Sequence, residues 1–357
     1  MIRKYLFSLA TDRTKGFIPA VVKEALFLFS LIYGLLVLII IYVSRIFKRR
    51  LNCKVISVGN ITVGGTGKTA LVLYIAQFLK DQGRRVAIVS RGYKRKIVTS
   101  QSCINAESVG DEPYMLQDKL KDVPVIVDTN RFRAGRKALE DYRVDTVILD
   151  DGLQQWRLKK DLEIVTIDAT NPFGNRRLMP RGILRQPLFS LDCADIFVLT
   201  KTNLIQDTAN IKNMLSAINP KAIIVESMHT PIDFYDISNP SVKIETYTLR
   251  GKVVALFSGI GDPLSFRKII QGLGIVVGLS FEFLDHHYYT QKDLNEIIRS
   301  CREKEINTLV TTEKDVSRLR SSTLSYLGCK LFVLRIQLTI KNAEAQFHKR
   351  LRDIYSV

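Results

Sequence analysis

The apolar positions of this chain fall into two regimes. From Ala25 to Ser44 twenty residues run without a charge, ALFLFSLIYGLLVLIIIYVS. At about 1.5 Å rise per residue a helix of that length covers a bilayer core of about 30 Å. The run is too long for a signal-peptide core, and no small-residue cleavage site follows it. A membrane-spanning helix is the expectation, ahead of a buried core helix or one lying in the interface. After Leu51 the pattern changes to short β-branched runs separated by helical stretches. CKVISVGN, RRVAIVS, VPVIVD, DTVILDD, LEIVTIDA, DIFVLTK and KAIIVES read as strands, with helices over about 67–82 and in RFRAGRKALEDY. Strands of that kind alternating with helices imply βαβ units and a mostly parallel sheet.

From Pro231 to Arg250 the pattern alters again. IDFYDIS and VKIETYTL, split by Asn239-Pro240, read as a hairpin. Strand and helix then alternate once more through KVVALFSGIGD, IVVGLSFEFLD, a helix from Gln291 to Cys301, TLVTTEKD and CKLFVLRI. The expected fold class is α/β: a P-loop-type, mostly parallel sheet, a second smaller α/β domain, and an N-terminal hydrophobic membrane helix. The expected division is an anchor (1–50), a nucleotide-binding domain (51–230), and a hairpin linker with the smaller domain (231–357). The 231–250 hairpin is the expected hinge for closure around substrate.

Composition narrows the class. The chain has 357 residues, 46% of them hydrophobic, which excludes disorder. Five widely spaced cysteines with no CxxC exclude a disulfide framework and a zinc finger, and point to a reducing compartment. The net charge is +18, and it is uneven. Residues 1–50 hold nine Lys and Arg against Asp12 and Glu24, and residues 51–96 hold nine more against Asp81 alone. Fifteen of the eighteen charges therefore lie in the first 96 residues, where an anionic partner is expected. Arg45, Lys48, Arg49 and Arg50 follow the apolar run and suit an anionic membrane surface. The leader before it carries five Lys and Arg of its own, so charge alone does not orient the helix. A membrane segment argues against nucleic acid as the partner.

The chemistry starts at the first strand after the anchor. It runs into Gly59-Asn60-Ile61-Thr62-Val63-Gly64-Gly65-Thr66-Gly67-Lys68-Thr69 and then a helix. This is a Walker A loop in its proper context. The glycines let backbone N–H groups turn to a phosphate chain, and the helix N-terminus adds its dipole. Thr62 to Thr69 are the expected nucleotide contacts, with Lys68 on the β/γ-phosphates and the Thr69 hydroxyl on Mg²⁺. The strict motif has glycine where this chain has Thr62. A Walker B candidate follows, the apolar Thr146–Leu149 ending in Asp150-Asp151-Gly152. A carboxylate at the end of a buried parallel strand sits beside the phosphate loop and serves Mg²⁺; which of Asp150 and Asp151 does so is left open. A nucleoside triphosphate and Mg²⁺ are the expected ligands.

VGNITVGGTGKT, SRGY (90–93), GDEP (110–113), DDGLQQ (150–155), DATNPFGNRRLMPRGILRQPL (168–188), FSGIGDPLSF (257–266), DHHYYT (285–290) and TTEKD (311–315) occur in this order. The series resembles the tetraacyldisaccharide 4'-kinase (lipid A 4'-kinase) family over about residues 50–320. That family also begins with a membrane-associated hydrophobic helix. The resemblance implies ATP-dependent phosphorylation of the 4'-hydroxyl of a tetraacyldisaccharide 1-phosphate, a lipid A precursor, giving the 1,4'-bisphosphate. The implied place is the cytoplasmic face of a Gram-negative inner membrane, and a monomer is expected. It further implies that Asp111 is the catalytic base, paired with His286 or His287. From the residues alone, Asp111 before Glu112-Pro113 reads in preference as a helix N-cap. A carboxylate within reach of the sugar hydroxyl takes its proton, and a histidine orients that carboxylate.

The chain departs from the family at two places. Where the family has Arg-Glu before proline, this chain has Arg185-Gln186-Pro187. Arg185 is an expected phosphate clamp, but Gln186 brings no charge to a metal. After SRGY stands Lys94-Arg95-Lys96, expected at the membrane or substrate-phosphate side. Arg176, Arg177, Arg181 and Arg185 form a basic run that is either a solvated face or a phosphate contact. His229 and His348 are expected at the surface. The rival function is a membrane-tethered regulatory P-loop GTPase, on the near-match of Thr200-Lys201-Thr202-Asn203 to a guanine-reading motif; a third is a lipid-binding scaffold with a relic loop.

Overall fold

The computed structural model describes residues 8–12, 14–91, 111–319 and 329–356. Two compact units divide the chain: residues 1–91, 122–228 and 340–357 make the first, residues 92–121 and 229–339 the second.

The first unit is built on a parallel sheet. Its elements in chain order are α1 (Phe17–Ile46), β1 (Lys54–Asn60), α2 (Lys68–Asp81) and β2 (Val86–Ser90). The chain passes through the second unit's α3 (Asp111–Lys119), then returns as β3 (Val125–Val127), α4 (Arg131–Tyr142), β4 (Thr146–Asp150) and β5 (Leu162–Asp168). β6 (Ile196–Thr200), α5 (Ala209–Ile218) and the first half of β7 (Ile223–Asp236) complete the sheet, whose order is β7–β6–β5–β1–β4–β2–β3. Every neighbouring pair in it is parallel. Covered on both faces, its strands carry apolar residues at successive positions, which is why they read as unbroken runs. On one side Val55, Ala87, Val89, Val147 and Leu149 pack with Ala134 and Ala138 of α4. Val165, Ile167, Phe197 and Leu199 pack with Leu215 of α5. The register pairs Val58 with Asp150 and Asn60 with Thr166, so the carboxyl ends of β1, β4 and β5 finish at one edge.

α1 is longer than the uncharged run, with 30 residues that include Lys23 and Glu24. It meets its own unit through a narrow face on which Ser30, Gly34, Val37 and Ser44 are buried. Leu28, Phe29, Ile32, Leu35, Leu36 and Ile40 are exposed. An apolar helix left this bare wants an apolar surrounding, and its length and composition suit a bilayer. Tyr33 Oη donates to the Arg185 carbonyl at 2.8 Å, and the Arg177 guanidinium lies 4.7 Å from the Phe27 ring centre. Asp12, just before α1, pairs with Arg181 at 2.9 Å. The basic run is thus neither a plain solvated face nor wholly a phosphate contact. Arg177 and Arg181 hold α1, Arg176 is exposed, and Arg185 turns to the phosphate loop.

The second unit contains the rest of β7, then β8 (Asn239–Ile244), β9 (Val253–Ser258), α6 (Pro263–Gly272), β10 (Val276–Glu282), α7 (Gln291–Glu303), β11 (Thr308–Thr312) and β12 (Lys330–Ile340). Its strand order is β10–β9–β11–β12–β7–β8, with β10, β9, β11 and β12 parallel. The hairpin differs from its expected form. KAIIVES and IDFYDIS belong to the single strand β7, and the turn is Ile237-Ser238, with Asn239-Pro240 already in β8. Asp236 Oδ1 makes the turn by accepting from Ser238 N (2.9 Å) and its hydroxyl (2.6 Å).

The chain's last helix, α8 (Glu344–Asp353), returns to the first unit. Residues 340–357 therefore do not belong with the rest of 231–357, and the cause is packing on α2. Phe347 is fully buried, His348 stacks on Phe78 with ring centres 4.1 Å apart, and Tyr74 Oη donates to Glu344 at 2.7 Å. His348 is thus a packing residue and only half-exposed. Phe347→Ala is expected to cost about 3–5 kcal/mol in urea unfolding. A loss below about 1 kcal/mol would mean that α8 is not part of this core.

Candidate active site

Three strand ends build the site in the first unit. β1 delivers the phosphate loop, which is pinned from outside by the 183–185 segment. Val63 N donates to the Ile183 carbonyl (2.8 Å), and Arg185 N to the Ile61 carbonyl (2.7 Å). From inside, a threonine set holds it: Thr66 Oγ1 meets Thr166 Oγ1 at 2.8 Å, and Thr200 Oγ1 donates to the Thr66 carbonyl at 3.1 Å. Thr62 and Thr66 are buried, while Val63, Gly64 and Gly65 face solvent. Gly67, at φ +80°, occupies the left-handed region where glycine fits best, and it caps α2. Its turn starts α2 at Lys68, so the free N–H groups of the first helical turn face the loop.

Charge converges on Asp151. Arg185 grips its carboxylate with both terminal nitrogens, at 2.8 and 3.0 Å. Lys68 Nζ stands 3.6 Å from the same group and donates to Asn60 Oδ1 at 3.1 Å. Arg185 also donates to Asn60 Oδ1 and to its carbonyl. Burial pushes the Asp151 carboxyl up, but Lys68 and Arg185 outweigh it and hold it well below the usual carboxylate range. Lys68, Arg185 and the nearby Arg131 outnumber the Asp150 and Asp151 carboxylates, so the cluster stays net positive, as a site for phosphates requires. Asp150 is nearly fully buried beside it, at the end of β4.

Asn60 and Arg131 are missing from the residues expected from sequence. Asn60 is fully buried at the end of an apolar strand, and that polar terminus was the available signal. Arg131, the first residue of α4, is 2% exposed. It donates to the carbonyls of Asp128 (2.5 Å) and Asp150 (3.3 Å), while its Nε has no partner among the described residues. Burial works against its charge, and Asp150 and Asp151 restore part of it. Nothing in the chain's pattern distinguishes this arginine from its exposed neighbour Arg133.

The donor set suits a hard cation such as Mg²⁺. Thr69 offers a hydroxyl and Asp150 and Asp151 offer carboxylates, all oxygen ligands. Two amide oxygens nearby in the chain, Gln154 Oε1 and Gln186 Oε1, are buried without a hydrogen-bond donor among the described residues. Gln186 is 1% exposed and follows the clamp Arg185. An orphaned acceptor of this kind is what a cation, or water bound to one, would satisfy. No cluster of three or more His, Cys, Asp or Glu exists among the described residues, so phosphate oxygens would have to complete the shell.

The remaining expected residues lie in the second unit. Asp111 opens α3, but its side chain lies outside the described residues, as do Gly92, Tyr93, Lys94–Lys96 and Gly110. α3 is attached to the turn after β11 by a Lys119–Glu313 ion pair of 2.6 Å. The two adjacent histidines differ. His287 Nε2 is 3.0 Å from Asp293 Oδ2, and its ring stacks on Phe283 at 4.6 Å. Asp293 is also the third residue of the Thr290 capping box that starts α7, so His287 is bound into the fold. His286 sits at φ +64° with Nδ1 3.4 Å from Arg318 Nη2.

The Thr312–Asp315 segment is built into the fold. Asp315 is fully buried and accepts from Gly259 N, Tyr289 and Thr312. Lys201, in the near-match Thr200–Asn203, is buried in an ion pair with Asp168.

The family described as tetraacyldisaccharide-1-P 4'-kinase matches residues 22–356. A tetraacyldisaccharide 4'-kinase of Halothermothrix orenii is 33% identical over 365 aligned residues, covering 95% of each chain. One of Elusimicrobium minutum is 37% identical over 302 residues, covering 81% of this chain and 79% of its own. Among solved structures, LpxK of Aquifex aeolicus in complex with ATP is similar with a TM-score of 0.72. It has 29% identity and covers 94% of this chain and 99% of its own.

Proposed function

The chain belongs to the tetraacyldisaccharide-1-P 4'-kinase family, and from that premise we propose that it transfers the γ-phosphoryl group of ATP to the 4'-hydroxyl of a tetraacyldisaccharide 1-phosphate. The observation that carries the reading is the convergence of Lys68 and Arg185 on Asp151 at the mouth of a strand-pinned phosphate loop. The family match removes the GTPase alternative, and the buried roles of Asp315 and Lys201 agree with that.

In the reaction the bond between the γ-phosphorus and the β–γ bridging oxygen breaks, a bond from phosphorus to O4' forms, and ADP leaves. Backbone N–H groups of Thr62–Thr69 cradle the phosphate chain. Lys68 and Arg185 exchange part of their hold on Asp151 for phosphate oxygens and so neutralise charge on the transferring group. Asp111 accepts the 4'-hydroxyl proton, and His286 orients its carboxylate, because His287 is already committed to Asp293 and Phe283. Thr69, Asp150 and Asp151 would hold Mg²⁺, and the orphaned Gln186 amide oxygen would be a further oxygen donor to it or to its water. When bound, Mg²⁺ offsets negative charge on the phosphates. The bare apolar face of α1 supports attachment to the inner membrane, with the catalytic units on the cytoplasmic side where ATP is available.

Purified protein given ATP, Mg²⁺ and the tetraacyldisaccharide 1-phosphate should yield a lipid heavier by one phosphate in mass spectrometry, and GTP should substitute poorly. Equal use of GTP, or ATP hydrolysis with unchanged lipid, would refute the reading. Gln186→Glu supplies the carboxylate that other family members carry. It should lower the Mg²⁺ concentration for half-maximal activity several-fold, because ligand charge tunes affinity for a hard cation. An unchanged Mg²⁺ dependence would separate Gln186 from the metal.

A further inference from the structure

Behind the 285–290 loop lies a buried polar network with no part in the chemistry above. Asp315 Oδ1 accepts from Gly259 N (2.8 Å) and Tyr289 Oη (2.9 Å), and Oδ2 accepts from Thr312 Oγ1 (2.7 Å). The Arg318 side chain, like that of Asp315, is fully buried, and the two are 3.5 Å apart. Arg318 Nη1 donates to the Gly259 carbonyl at 2.6 Å, the same carbonyl that accepts from His286 N at 3.0 Å. Its other fork nitrogen reaches His286 Nδ1 at 3.4 Å. Backbone and ring of His286 are therefore both referenced to Gly259 and Arg318.

This arrangement dictates a tautomer. A guanidinium only donates hydrogen bonds, so the nitrogen it meets must be the acceptor. With Nδ1 as acceptor, the neutral ring carries its proton on Nε2. Among the described residues, the charged side chains that bear on that ring are Arg318 at Nδ1, with Asp315 behind it, and Asp285, whose Oδ2 is 3.7 Å from Nε2. A buried ion pair adds little net stability over apolar packing, so orientation is the gain it offers.

We propose that Arg318, held by Asp315, is a positioning residue for His286: it fixes Nδ1 as acceptor and so presents Nε2–H as the donor to the catalytic carboxylate. The proposal rests on the reading that His286 serves the transfer together with Asp111. Loss of Arg318 frees the ring to adopt the Nδ1–H tautomer, which turns a lone pair toward a carboxylate instead of a proton.

The test compares wild type, Arg318→Lys, His286→Ala and the double variant. Lysine keeps a positive charge beside Asp315 but lacks the two-pronged fork. Arg318→Lys should lower kcat about tenfold, a part of what acid–base positioning contributes, with KM for ATP unchanged. In the His286→Ala background it should lower kcat no further. An equal fall in both backgrounds would make Arg318 a fold residue only and overturn the proposal. The tautomer itself is read in the wild-type enzyme. In ¹⁵N-histidine-labelled protein, the signal that disappears in His286→Ala should show the Nε2–H tautomer. An Nδ1–H tautomer there would overturn the proposal alone, whereas a His286→Ala enzyme with wild-type kcat would overturn the underlying reading of His286 as well.

Discussion

Lys68→Ala is expected to reduce phosphoryl transfer by about 10²–10³-fold or more, with folding intact. Lys68 opens α2 and lies within 3.6 Å of Asp151 and 3.1 Å of Asn60, so it is placed where the phosphate chain enters. Phosphoryl transfer has a loose transition state, and catalysis depends mostly on position and on neutralising charge. Removing the ammonium leaves Arg185 alone to serve both Asp151 and the incoming phosphates. The side chain is partly exposed at the start of α2, so its loss opens no core cavity and the unfolding midpoint should stay close to wild type. Steady-state assays with a urea melt of the same preparation check both halves. A variant retaining more than about a tenth of wild-type activity would remove Lys68 from the transfer step.

Asp111→Asn is expected to lower kcat by about 10²-fold, toward the low end of general-base effects, with KM for ATP and lipid little changed. Asparagine keeps the shape and the acceptor oxygen but cannot take a proton. The effect should be smaller than for Lys68 because proton removal lags phosphorus–oxygen cleavage in a loose transition state. The same substitution also tests whether Asp111 is merely the start of α3. An N-cap role would appear as a stability loss of about 1 kcal/mol with kcat preserved. A rise in KM alone would make Asp111 a binding group.

Much of the site was legible because buried parallel strands write themselves as unbroken apolar runs, and the phosphate loop and Asp150-Asp151 interrupt two of them with glycine and acid. The paired ends of β1 and β4 follow from that alternation. Illegible were features that depend on three-dimensional neighbours. Arg131 looks like any arginine on an amphipathic helix, since arginine is mostly exposed, yet it is buried under Asp150. His286 and His287 are adjacent and chemically identical, and only Asp293, Phe283 and Arg318 separate their roles. The hairpin turn was misplaced because Asn239-Pro240 is the stronger dipeptide signal, whereas the Asp236 side chain makes the turn two residues earlier. α8 escaped notice because a ten-residue helix with two buried apolar positions, Phe347 and Leu351, carries little periodicity of its own.

The uneven charge is now assigned to particular contacts. Lys68 and Lys23 pair within the first unit, with Asp151 and Asp12, and Arg49 lies over the Phe132 ring. The positive N-terminal region is therefore partly spent on holding α1 and the phosphate loop. The remainder suits an anionic lipid and ATP better than a nucleic acid.

The central claim is tested most directly by transfer of label from [γ-³²P]ATP to tetraacyldisaccharide 1-phosphate by the purified protein, followed by mild acid hydrolysis of the lipid. A 1-phosphate on the anomeric carbon is acid-labile, whereas a 4'-phosphate is an ordinary secondary ester. A 4'-kinase leaves label in the lipid that survives hydrolysis and is lost with Lys68→Ala. Release of the label as inorganic phosphate without lipid labelling, or a lipid label removed by mild acid, would contradict it.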